Sequence, residues 1–106
     1  MSMSIGIVKL KKEDETCSLW IDEGEGFSDQ EFLRVIAPLK IARNERVHTS
    51  HGPAQTIDEI HTSQGVFNLS QEFDEYPGVS IYSDDSQLIN NILNLMVSSG
   101  EYHISG

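Results

Sequence analysis

The sequence predicts a single α+β domain over residues 1–106: a mostly antiparallel sheet with two amphipathic helices packed on one side. Three observations lead there. Strand-like alternation of apolar and polar residues recurs in short runs separated by turn residues. Two segments, Phe27–Leu39 and Asp84–Ser98, instead carry apolar residues at helical spacing. A chain of 106 residues is long enough for one hydrophobic core and too short for two.

Ser4–Lys11 reads as the first strand. Ile5 and Ile7 share one parity, Val8 and Leu10 the other, so both faces are expected to be partly covered. After the polar turn 11–15, Cys17, Leu19 and Ile21 alternate with Ser18 and Trp20, which predicts a hairpin with the first strand. Trp20 then faces away from Leu19 and is expected to be covered. The acidic loop Asp22-Glu23-Gly24-Glu25-Gly26 has no Lys or hydroxyl at the positions of a phosphate loop. It reads as a flexible connection.

The next helix opens with a clear local signature. Ser28 is the expected N-cap, Glu31 completes a capping box, and Phe27 with Phe32 forms a hydrophobic staple. Pro38 ends the helix near Ala37. Residues 40–64 are less legible. Arg43–His48 fits a strand broken at Gly52-Pro53. Thr56–Ile60 admits two readings, and the capping-box spacing of Thr56 and Glu59 favours a short helix.

Val66–Phe73 alternates again, with Phe67, Leu69 and Phe73 on one side and Asn68, Ser70 and Glu72 on the other. Tyr76-Pro77-Gly78 predicts a turn in which Gly78 takes positive φ. Val79 and Ile81 resume the strand. Asp84, with Gln87 three residues on, is the expected cap of a helix whose apolar face is Leu88, Ile89, Ile92, Leu93, Leu95 and Met96. Gly100 closes that helix, and Tyr102 and Ile104 suggest a last strand.

Charge is the strongest functional signal. The net charge is −10, and all seven Lys and Arg lie within the first 46 residues. There they face nine carboxylates, a balance of −2; residues 47–106 carry eight carboxylates and no Lys or Arg, a balance of −8. Such a surface repels phosphate backbones and attracts basic proteins, so no direct nucleic-acid partner is expected. No apolar run reaches the roughly 20 residues of a membrane helix, so no membrane partner is expected either. A single cysteine and the lack of a leader-like start fit the cytoplasm.

No motif declares a reaction. His48, His51 and His61, near Asp58 and Glu59, are the one group with metal-binding or acid–base chemistry. Their spacing matches no helical metalloprotease pattern, and polar residues on the surface of a connection are the plainer reading. Cys17 lies in an apolar alternation beside acidic segments, which disfavours a reactive thiolate. No catalytic residue, metal or cofactor is therefore assigned. The carboxylates expected to face a partner are Glu72, Asp74, Glu75, Asp58 and Glu59, with Asp84 and Asp85 second. Asp74 and Glu75 are expected at the opposite end of the sheet from Asp84 and Asp85.

The stretch FDEYPG, the strand VSIYSDD, a helix opening on aspartates and a closing strand together resemble the tails of small bacterial immunity proteins of polymorphic toxin and contact-dependent growth-inhibition systems. The resemblance covers about 40 residues and is one of residue types. It implies a stoichiometric, non-catalytic inhibitor of a cognate basic toxin domain, often a nuclease, with acidic groups standing where phosphates would. A phage-encoded nucleic-acid mimic directed at a host nuclease, or a small histidine-based metal protein or enzyme, are the alternatives.

Overall fold

The computed structural model describes residues 4–12, 15–22, 27–51, 54–73 and 77–105, and of residues 12, 15–17, 50 and 51 the backbone alone. Strands β1 (Ile5–Lys12) and β2 (Glu15–Asp22) form the expected antiparallel hairpin. Helix α1 (Asp29–Val35) follows, then a 3-10 turn at Ala37–Leu39. Three long strands come next: β3 (Ile41–His51), β4 (Ala54–Thr62) and β5 (Gly65–Glu72). The chain ends with β6 (Gly78–Tyr82), helix α2 (Ser86–Ser98) and β7 (Tyr102–Ile104).

The seven strands form one sheet in the order β3-β4-β5-β6-β2-β1-β7. Every pairing is antiparallel except β1 with β7. Two connections leave the meander: β2 reaches β3 through α1, and β6 reaches β7 through α2. Each joins strands running the same way, but the two run in opposite directions across the sheet from strands of opposite sense. A common hand of crossover therefore places both helices on the same face. That face holds the core. Phe32 from α1 and Ile36 at its C-terminal cap meet Leu88, Ile89, Ile92 and Met96 from α2 over Leu19, Ile60, Phe67 and Ile81 of the sheet.

Local chemistry explains where the helices begin. Ser28 caps α1, its Oγ accepting from the Glu31 N–H, and the Phe27 and Phe32 rings lie 5.7 Å apart. Phe32 also meets Phe67 edge-on at 6.0 Å, which anchors α1 to the middle of the sheet. At α2 the cap is Asp85, one residue later than expected. Its Oδ1 accepts from the N–H groups of Gln87 and Leu88. Gly100, at φ 82, closes α2 as anticipated.

Three further expectations are corrected. Thr56–Ile60 is strand, because Ile60 fills the core opposite Phe67 and both edges of β4 find backbone partners. Phe73 is 59% exposed, since the chain leaves the sheet at Glu72. β1 is partly covered on both sides, as expected: Ile7 is fully buried on one and Val8, paired with Trp20, is half-buried on the other, while Leu10 is exposed. Gly78 is the first, extended residue of β6 and does not take positive φ. A glycine is needed there because the Trp20 ring lies on it, and a Cβ would fall 2.2 Å from Cη2. Trp20 is thus half-buried on the face without helices. Tyr76, the Cys17 side chain and most of the acidic loop 22–26 lie outside the described residues.

Candidate functional site

A strand presents alternate residues to opposite faces, so register decides which carboxylates can meet a partner. On β4, Asp58 shares parity with buried Ile60 and is paired with Leu69 of β5 and Arg46 of β3. It lies on the helix side and is 7% exposed. The Arg46 Nε–H donates to Asp58 Oδ1, and this hydrogen bond is the main cause holding the guanidinium above its ordinary pKa. Asp58 is therefore an internal structural ion, shielded from any partner.

Glu59 points the other way, to the bare face, in a four-residue square. Across the β3–β4 ladder, Glu45 stands opposite Glu59 and Arg43 opposite His61. Arg43 Nε is 3.4 Å from Glu45 and its Nη2 is 3.1 Å from His61 Nε2. His61 Nε2 is 2.7 Å from Glu59 Oε1. Ligand atoms of Glu45, Glu59 and His61 all lie within 4.8 Å of one another. His61 is the histidine of this cluster, and His48 is not part of it. His48 pairs with Ile57, four ladder positions beyond His61, and the His51 side chain lies outside the described residues. Glu45 was not among the expected site residues, although Arg43-x-Glu45 and Glu59-x-His61 both carry the parity of a shared strand face.

The remaining carboxylates divide between the two ends of the sheet. Glu72 pairs with Gly78 at one end, and Asn68 pairs with Tyr82 at the other. Asp84 and Asp85 follow Tyr82, so Glu72 is remote from them. Asp74 and Glu75 lie outside the described residues. Gly65, Val66, Asn68, Tyr82, Ser83, Asp84 and Asp85 line a shallow depression of about 640 Å³. Asp85 is engaged as the cap of α2, whereas Asp84 is exposed and makes no ion pair among the described residues. Glu72 accepts a long hydrogen bond of 3.5 Å from Gln55 and likewise has no cation partner among the described residues.

Cations of the first half thus neutralise part of the acidic second half. Arg46 covers Asp58, and Arg43 leans on the Glu45–Glu59–His61 group. No helix of the described residues is long and apolar enough to cross a membrane. No protein-family model, curated protein or solved structure matched the chain.

Proposed function

We propose that this protein acts by binding, as a stoichiometric inhibitor of a basic protein, and that its target is a toxin nuclease domain, as for an immunity protein. The observation that carries this reading is the depression beside Asp84. An uncompensated carboxylate, the Asn68 amide and the Tyr82 ring border a recess open to solvent, in a half of the chain with no Lys or Arg. A lysine or arginine head group entering there would meet an anionic rim and an aromatic wall. Glu72 at the far end would add a second point of attraction, together with Asp74 and Glu75, which follow it closely in sequence. Asp58 has no part in this surface, and Glu59 contributes only with the cations beside it. The contact set therefore contracts to Asp84, Glu72, Asp74 and Glu75, with Asp85 serving mainly the helix.

The test is association kinetics against the basic protein encoded by the adjacent gene. Charge reversal by Asp84→Lys should slow association about tenfold at low salt, with a smaller change in dissociation. The wild-type rate should fall as ionic strength rises. An association rate indifferent to salt and to Asp84→Lys overturns the reading.

A further inference from the structure

We propose that Glu45, Glu59 and His61 form a binding site for a first-row transition dication of the zinc type, on the bare face of the β3–β4 ladder. The inference is independent of the inhibitory reading above, because it concerns a different part of the sheet and a different ligand. It starts from the register. Glu45 and Glu59 stand directly opposite each other, and like charges in that position repel. Such a pair requires positive charge between or beside it. What the chain itself supplies is Arg43, a monovalent group on an exposed side chain of the edge strand.

The neighbours of His61 Nε2 show that Arg43 is an imperfect substitute. Arginine only donates hydrogen bonds, so at 3.1 Å it needs a bare lone pair on Nε2. Glu59 only accepts when ionised, so at 2.7 Å it needs a proton on the same nitrogen. One nitrogen cannot do both, and in either protonation state one contact is unfavourable. A dication removes the conflict. With Nε2 unprotonated, the imidazole lone pair and carboxylate oxygens of Glu59 and Glu45 all point at one cation, and Arg43 swings out to solvent.

The donor set and its spacing fit that ion. Zinc takes imidazole nitrogen and carboxylate oxygen at about 2.0–2.2 Å, which puts ligand atoms about 3.3 Å apart in a tetrahedron. The three groups already fall within 4.8 Å of one another, so small rotamer changes complete the geometry. An imidazole ligand favours zinc-type ions over magnesium and calcium, which prefer oxygen throughout. Glu59 and His61 are half-buried and fixed two residues apart on a strand paired along both edges, so two of the three ligands are held in place before the ion arrives. Water would fill the remaining position.

Calorimetric titration of untagged protein with zinc chloride, in a buffer that does not chelate, tests the site. One saturable event is expected, unaffected by excess magnesium. His61→Asn should weaken it by about tenfold or more. Arg43→Ala, which removes the competing charge, should tighten it. His103→Asn, on the far edge strand β7, should leave it unchanged. Circular dichroism checks that each variant is folded, and Glu45→Gln on the exposed edge carries the same expectation as His61→Asn if the latter does not fold. Absence of saturable zinc binding overturns the proposal. So does binding that persists undiminished in His61→Asn or, where that variant does not fold, in Glu45→Gln.

Discussion

Trp20 and Gly78 illustrate how much one side chain can demand of another. The indole covers Gly78 so closely that any β-carbon there would overlap it. Gly78→Ala should therefore lower stability by about 1–3 kcal/mol in urea unfolding, the usual range for overpacking. Combined with Trp20→Ala, it should cost much less than the sum of the single changes, because both act on one contact. Arg46 and Asp58 make a comparable pair in charge. Removing Arg46 leaves an ionised carboxylate at 7% exposure with its cross-strand cation gone. Arg46→Ala is expected to cost about 1–3 kcal/mol, while Arg46→Met with Asp58→Leu should come close to neutral. Chemical denaturation of the two variants measures both. The sequence placed a carboxylate at 58 but not its orientation. A capping-box spacing of Thr56 and Glu59 suggested a helix, and only the pairing of β4 with β3 and β5 overrode it.

At the scale of elements, the two helices differ in how much of their start was legible. α1 announces itself by Phe27, Ser28, Glu31 and Phe32, all local signals, and it forms as those residues dictate. α2 offers two adjacent aspartates, and local spacing chose the wrong one. Asp85 caps because Ser83 Oγ, itself bonded to the Val66 carbonyl, accepts the Asp85 N–H and sets where the chain turns into the helix. Asp85→Ala should cost about 1 kcal/mol, and Asp84→Ala less than about 0.5 kcal/mol. Thermal unfolding of the two variants would show the difference. The sheet edges follow a similar rule. β3 is exposed along 42–49 but interrupted by two register shifts and studded with Arg43, Glu45 and Arg46, and β7 is only three residues long. Irregularity, charge and shortness all discourage further strand pairing.

For the molecule as a whole, β7 closes the sheet on β1 and buries Tyr102 at 3% exposure. Burial, with smaller contributions from Glu101 and Glu31, pushes its hydroxyl from the ordinary 10.0 to about 12. A folded-state value raised above the unfolded one means stability is full below pH 10 and falls as pH rises towards 12, because the unfolded chain loses its proton first. Denaturation between pH 9 and about 12 should show that decline, and Tyr102→Phe should flatten it. The charge of the whole molecule also takes on a shape. A bare face remains opposite the helices, bordered by Asp84 at one end and Glu72 at the other, with the Arg43–Glu45–Glu59–His61 square towards the β3 edge.

The sequence by itself determined the alternation of the strands, the start of α1, the existence of α2 and the excess of negative charge in the second half. These depend on neighbours a few residues apart, whose spacing is written in the chain. The tertiary structure alone decided that Asp58 turns inward to Arg46, that Gly78 yields to Trp20, and that Glu45 and Glu59 face each other. Those outcomes rest on strand order and register. A period of two separates the faces of a strand without saying which face a helix will cover or which residue will lie across from it.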